Sequence, residues 1–329
     1  MKNLDFLNNS SRRKFLKIFG VTLVGSLGYG LLNLHKGKIN KSFWQGSVLG
    51  APSKVEIHSK DEKLNSYLIN EINVLVMKYD KIFNIQNKLS EINILNKNKV
   101  LNNPSPEFIK VIRNSKFVSV KTNGLFDITV QPLWDLYFDH FIIKNRNTAP
   151  DIKKINKTLK LVNWENVIID EDKIILNNKA SITLNGIAQG WITDQITTLL
   201  SNNGFTDTLV DFGENYASGM FENTRPWNIL IKGKNTEKVV NISNKAIATS
   251  GGYGTIFEPS MKHHHIFNTK TGESSNNFRA VSIISDKAWL SDAISTASLS
   301  MKKETLKKLC KDLQAKAIVQ ESKSFVEIT

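Results

Sequence analysis

Apolar residues recur at helical spacing through Asp61–Asn84, where Leu64, Leu68, Ile72, Leu75, Tyr79 and Ile82 share one face. That period predicts a long amphipathic helix. Ser105-Pro106 supplies an N-cap followed by proline at the first helical position. It predicts a second helix running to about Val120 and stopping before Gly124. Trp44–Ser59 reads as extended, and Val167–Asp170 with Lys173–Asn177 reads as a hairpin. A strand at Ser181–Leu184, a helix at Ile187–Ser201 and several strands between Thr208 and Ile284 follow. Ala288–Met301, AWLSDAISTASLSM, is again helical, with Leu290, Ala293, Ile294, Ala297 and Met301 on its apolar stripe. A short Lys-rich helix and two final strands close the chain. Separated helices among runs of strands predict the α+β class. The chain has no internal repeat and no strand–Gly-x-Gly-x-x-Gly–helix unit, which argues against a Rossmann domain.

Charge changes this picture at one end only. The 329 residues carry 44 Lys and Arg against 30 Asp and Glu, a formal +14. The lysines are spread evenly among asparagines, with no zinc-finger spacing, RNP signature or basic helix run. Such dispersal describes a solvated surface, and no nucleic acid partner is expected. Ser11-Arg-Arg-Lys-Phe-Leu-Lys17 directly precedes the uncharged run Ile18–Leu34. A paired arginine before a moderately apolar segment describes a twin-arginine export signal. Residues 1–34 are therefore expected to engage the twin-arginine translocase, as a signal or an N-terminal anchor, with residues 35–329 forming the exported domain in the periplasm or cell envelope. The single cysteine, Cys310, has no internal partner for a disulfide.

Four segments and one helix carry candidate chemistry. Gly186 and Gly190 stand where Thr183–Asp194 passes from strand to helix, a junction that lets backbone approach an anionic ligand. Ala248-Thr-Ser-Gly-Gly-Tyr-Gly254 forms either an anion-binding nest or a flexible loop. In His263-His-His265 successive side chains alternate direction, so all three cannot ligate one ion. One of them can serve as a proton carrier. Asn123–Val130 is read as a strand entered from a glycine turn, with Asp127 and Thr129 on one face. Asp211-Phe-Gly213 matches a kinase tripeptide, but no catalytic loop precedes it. Finally, Asp292 and Thr296 lie one helical turn apart, with no Lys or Arg between 288 and 301. Side chains at i and i+4 have Cβ atoms about 5–6 Å apart and can converge on one cation.

These segments occur together and in order: Thr122-x-Gly-x-Phe-Asp-x-Thr129, Gly186-Ile-Ala-x-Gly-x-x-x-Asp194, Ala248-Thr-Ser-Gly251, His265-Ile266 with Thr271-Gly272, and Ser291-Asp-Ala-x-Ser-Thr-Ala297. With Ser90-Glu91 through Asn96 they resemble the FAD:protein FMN transferases, the ApbE family, over about residues 44–320. The resemblance implies an ApbE-like α+β fold with two lobes and the active site between them. It implies a Mg²⁺-dependent transferase that uses FAD as substrate, moves FMN to a Ser or Thr hydroxyl, and releases AMP. The implied acceptor is a flavoprotein subunit of an envelope redox complex. Asp292 and Thr296 match metal ligands, with Ser295 and the carbonyl of Gly186 as further oxygens. Leu49, Leu125, Phe126, Asp127, Thr183, Gln189 and Ile266 match FAD contacts, and His265 and Asp127 are the candidates for the catalytic base. The chain departs from the family pattern at Thr183, where Asp is usual, at Gln189, at Asn268-Thr269 in place of Asp-Pro, and at Gln86 in place of an aromatic. Gly213-Glu214-Asn215 replaces a Gly-Gly-Asp turn. Two other readings remain open from the residues: a FAD pyrophosphatase yielding FMN and AMP, and a non-catalytic flavin-binding assembly factor.

Overall fold

The computed structural model describes residues 40–59 and 61–328, so the expected export signal lies outside the described residues. β1 (Asn40–Val48) and β2 (Ala51–Ser59) form an antiparallel hairpin. Its turn is Leu49-Gly50, both at positive φ (51° and 88°), as a two-residue hairpin turn of the right hand requires. α1 (Glu62–Phe83) starts where the Asp61 carboxylate accepts from the Leu64 N–H, and it buries Leu68, Ile72, Tyr79 and Ile82. Ser90 caps α2 (Glu91–Asn98), an unforeseen short helix, and β3 (Val100–Asn102) follows. Ser105 caps α3 (Pro106–Lys121), accepting from the Phe108 N–H.

α4 (Gln131–Phe138) runs into a π turn at Asp139–Ile143, and α5 (Ile152–Leu159) completes a small helical lobe. β4 (Val167–Asp170) and β5 (Lys173–Leu176) make the expected hairpin beside β3. α6 (Ala188–Asn202) precedes β6 (Thr208–Asp211), β7 (Asn215–Ser218), β8 (Trp227–Gly233) and β9 (Thr236–Ile242). Then come β10 (Lys245–Gly251), β11 (Ala280–Ser285), α7 (Ala288–Ser298), α8 (Lys303–Asp312), β12 (Lys316–Gln320) and β13 (Phe325–Ile328).

The main sheet has eight strands in the order β1-β2-β6-β7-β10-β11-β12-β13, all paired antiparallel. Alternation along its strands separates two cores. Ala317 and Val319 of β12 pack with α1, α6 and α7, whereas Ile318 packs with Trp227, Ile229 and Ile231 of the β8–β9 hairpin. The small lobe has its own core of Leu133, Tyr137, Phe141, Ile142 and Ile155, joined by Phe257 and Phe267 from the loop after β10. Among the described residues, no helix is long and apolar enough to cross a membrane.

Two sequence expectations fail locally. Ser181–Leu184 is extended but is not a strand: the Asn96 side chain accepts from the Ile182 N–H and donates to its carbonyl. The next amide, Thr183, donates to the carbonyl of Ile128. Asp127 and Thr129 do not share a strand face either. The Asp127 carboxylate accepts from the Thr129 N–H and so initiates a 3-10 turn at Ile128–Val130. In both places a side chain captures backbone groups that a sheet would otherwise pair.

Candidate functional site

The site is organised by the contact between α6 and α7. A Cβ added to Gly190 would lie 2.4 Å from the Ala288 carbonyl oxygen and 2.9 Å from Asp292 Cβ, so only glycine allows this approach. The Gly190 N–H donates to Asp292 Oδ2 at 3.2 Å. One turn along α6, Asp194 accepts from the Ala288 and Trp289 N–H groups at 3.0 and 3.1 Å. These are orphan donors of the first turn of α7, whose own N-cap residue, Lys287, offers no side-chain cap. Burial pushes the Asp194 carboxyl up to about 6, and the two amide bonds oppose that shift.

Asp292 is only 3% exposed. Thr296, one turn on, sits against Gly186: a Cβ there would be 3.0 Å from Thr296 Oγ1. Ser250, near the end of β10, bonds Ser295 Oγ at 2.7 Å and Thr296 Oγ1 at 3.3 Å. Ser295 donates its hydroxyl to the Asp292 carbonyl, which leaves it beside the site as a brace. Glu214, in the β6–β7 turn, also points inward and is 8% exposed. Its carboxylate accepts from the Thr249 N–H, while Oε2 is buried with no hydrogen-bond partner. Burial raises the carboxyls of both Asp292 and Glu214, the Gly190 N–H opposes the rise at Asp292, and repulsion from Asp292 and Asp211 adds to the rise at Glu214.

This donor set fits a hard divalent cation. It offers two buried carboxylates, one of them with an orphaned oxygen, a threonine hydroxyl and a glycine main chain. Mg²⁺ takes such oxygens at about 2.0–2.1 Å and leaves positions for phosphates. Among the described residues no group of three or more His, Cys, Asp and Glu comes together, so a nitrogen- or sulfur-rich centre of the zinc type does not form.

The other end of the site is built from loops. A Cβ on Gly186 would lie 3.5 Å from Phe126 Cε2, so Gly186 stands between α7 and the Leu125-Phe126-Asp127 segment. Thr122 Oγ1 accepts from the Phe126 N–H at 3.0 Å, and Leu125 packs half-buried on the main core. Both Asp127 oxygens are engaged: Oδ1 with the Thr129 N–H and hydroxyl at 2.8 and 2.6 Å, Oδ2 with the Trp164 N–H at 2.9 Å. Burial raises this carboxyl, with the Thr129 and Trp164 bonds and Lys270 pulling against the rise. Thr269 donates its hydroxyl to the Gly124 carbonyl, tying the His segment to this loop.

His265 Nδ1 bonds the Thr255 carbonyl at 3.1 Å. A carbonyl only accepts, so Nδ1 carries the proton and Nε2 holds the free lone pair. Burial first, then His264, pushes the His265 imidazole down to about 4, so it is neutral at pH 7. The three adjacent histidines face different surroundings. His263 packs on Phe141 with centroids 5.1 Å apart, and His264 Nδ1 accepts from the Ile266 N–H. Ile266 is buried in the main core. Thr183 accepts from the Asn185 N–H at 3.3 Å, forming a local hydroxyl turn. Gln189 lies over Gly213, beside Glu214, with 3.4 Å from Nε2 to the Cβ position. Leu49 occupies the β1–β2 turn, whose Gly50 faces the Gln86 side chain. The residue missed as a site candidate is Glu214. Its only mark in the sequence is an acid in the short turn between two strands.

The profile of the ApbE family matches residues 49–319. A Vibrio cholerae protein named FAD:protein FMN transferase is 26% identical over 211 residues, covering 61% of this chain and 62% of that protein. An Escherichia coli K12 protein of the same name is 26% identical over 310 residues, covering 88% and 85%. In three dimensions the chain is similar to the flavin transferase ApbE from Vibrio cholerae (TM-score 0.75, 22% identity, 88% of this chain and 97% of that one). It is equally similar to the apo form of the Pseudomonas stutzeri flavinyl transferase ApbE (TM-score 0.76, 22% identity, 89% and 96%). At these identities the solved structures establish the fold.

Proposed function

The chain belongs to the ApbE family, and from that premise we propose that it transfers the FMN moiety of FAD to a Ser or Thr hydroxyl of an acceptor protein, releasing AMP. The observation that carries this reading is the pair of buried, unneutralised carboxylates at Asp292 and Glu214, next to the Gly186–Phe126 contact. Asp292, Thr296 and the Gly186 carbonyl would hold Mg²⁺ there. When bound, that ion supplies positive charge to the pyrophosphate oxygens as the phosphorus centre is displaced.

The chain's own groups then have separate roles. The acceptor hydroxyl is a weak nucleophile at neutral pH and needs a base. His265 suits that role, because its Nδ1–H is held by the Thr255 carbonyl and its Nε2 is free to take the proton. The acceptor oxygen bonds the FMN phosphorus, the bond to the bridging oxygen breaks, and AMP leaves. Asp127, with both oxygens engaged by Thr129 and Trp164, positions the flavin-side loop. Phe126 and Leu125 present apolar surface beside it.

The Arg12-Arg13 pair before Ile18–Leu34 supports delivery to the cell envelope by the twin-arginine route, where a flavoprotein subunit of a redox complex would be the acceptor. The full-length protein is incubated with FAD, Mg²⁺ and an envelope extract, and flavin fluorescence is read in a denaturing gel. A fluorescent protein band that vanishes with EDTA supports transfer. AMP without a band would make the protein a pyrophosphatase, and intact FAD would leave it an assembly factor.

A further inference from the structure

Glu214 is enclosed by the same three elements that frame Asp292. Thr193 of α6 donates to its carbonyl at 3.3 Å, one turn after Gly190 donates to Asp292. The Thr249 N–H of β10 donates to its carboxylate, and the next residue, Ser250, bonds both Ser295 and Thr296 of α7. The charged groups that act on Glu214 are Asp292 and Asp211, both acids. Among the described residues no lysine or arginine answers it, and its buried Oε2 has no hydrogen-bond partner. An uncompensated buried carboxylate is strongly destabilising. Two such groups, framed by the same elements and within electrostatic reach, call either for a divalent cation or for a shared proton. Hard cations collect several carboxylate, carbonyl and hydroxyl oxygens, and their affinity rises with the count of ligand charges.

We infer that Glu214 is a second carboxylate of the cation site, and that with Asp292 it lets this protein hold one divalent cation before any flavin nucleotide binds. The inference rests on the reading that Asp292 and Thr296 face a cation. Asp292 alone supplies one negative charge and would rely on substrate phosphates for the rest. Glu214 brings the protein's own contribution to two, matching a divalent ion.

The test uses the full-length protein free of FAD, with Mn²⁺ as the probe and electron paramagnetic resonance to separate free from bound ion. The parent should bind one Mn²⁺ per chain, displaced by excess Mg²⁺, and its melting temperature should rise with the metal. Glu214→Gln keeps the shape and removes the charge, and should weaken Mn²⁺ binding by roughly tenfold or more. Should that variant misfold, Glu214→Gly removes the carboxylate altogether and should show the same loss. Mn²⁺ affinity equal to the parent's in the folded variant would overturn the inference. So would a parent that takes up no Mn²⁺ without FAD; a higher melting temperature in Glu214→Gln would then show that a shared proton joins the pair. Asp292→Asn separates the two levels: if it too binds Mn²⁺ like the parent, the cation site itself is misplaced. If Asp292→Asn alone loses the metal, only the role of Glu214 falls.

Discussion

Asp292 and Asp127 are both buried aspartates at the two ends of one site, and the chain treats them in opposite ways. Asp127 is saturated: the Thr129 amide and hydroxyl and the Trp164 amide satisfy both oxygens. Asp292 receives one amide, from Gly190, and faces a second carboxylate. Saturation makes the first a bracket that shapes a loop; the second keeps a single amide partner against the charge of Glu214. The supports differ as well. Asp292 rides on a helix clamped to α6 through Gly190 and Asp194, whereas Phe126, Thr183 and His265 sit on loops. The Asp292 end rests on two packed helices and the Phe126 end on loops, so the first is the more preorganised.

Substitutions can break that contrast, beginning with the strongest. Asp292→Asn keeps volume and loses the charge that a cation needs. Transfer should fall about 10³-fold or more, since metal stabilisation of the transition state is worth several kcal/mol. Parent-like Mg²⁺-dependent labelling would remove Asp292 from the chemistry. His265→Ala should lower transfer at saturating FAD and acceptor by roughly 10²-fold or more. A loss under tenfold would make His265 a packing residue. Its pH profile is a sharper check. The imidazole must be neutral to accept a proton, and burial lowers its value from 6.5 to about 4. The neutral form therefore persists as pH falls below 6.5, and transfer should not decline from this group between about pH 8 and 5.5. An acid limb centred at 6.5 that disappears in His265→Ala would contradict the buried geometry.

Smaller effects separate clamp from bracket. Asp194→Ala deletes two acceptors at the start of α7 and should cost about 1–3 kcal/mol in urea unfolding, with metal binding weakened through the displaced helix. The sign with pH follows from the raised value, from 3.8 to about 6. The folded state disfavours the ionised form, so the parent should gain stability relative to Asp194→Asn as pH falls from 7 towards 4. A difference that stays constant with pH would refute this. Asp127→Asn retains one acceptor oxygen and should reduce transfer by less than about tenfold, while losing on the order of 1 kcal/mol of stability. A hundredfold rate loss with unchanged stability would turn the bracket into a base. Smallest of all, Thr183→Asp keeps the local turn, because an aspartate accepts the Asn185 amide as the hydroxyl does. It should improve the KM for FAD by a few-fold; a raised KM would show that the pocket is built around the hydroxyl.

What the sequence makes legible follows the same division. The Leu64–Ile82 stripe and Ser105-Pro106 announce their helices because periodicity and caps are local. Asp292 and Thr296 stand one turn apart as their spacing indicates, because the helix is legible from its apolar stripe. Ser181–Leu184 misleads because its pairing partner is the side chain of Asn96, 86 residues away from Ile182. Asp127 misleads because its carboxylate, not the hydrophobic pattern, sets the turn. The small lobe escapes because α4 and α5 have 8 residues each, too few for a clear period. Glu214 is invisible in one dimension: only the packing of α6, α7 and β10 turns an acid in a turn into a buried one.

We propose that Asp292, with a divalent cation bound to it, drives transfer of FMN to protein and not to water. The most direct measurement is a single-turnover reaction with FAD, Mg²⁺ and purified acceptor, quantifying released AMP and flavin-labelled acceptor together in the parent and in Asp292→Asn. The account predicts equal amounts of AMP and labelled acceptor from the parent and neither product from the variant. AMP in large excess over labelled acceptor, or full labelling by Asp292→Asn, would contradict it.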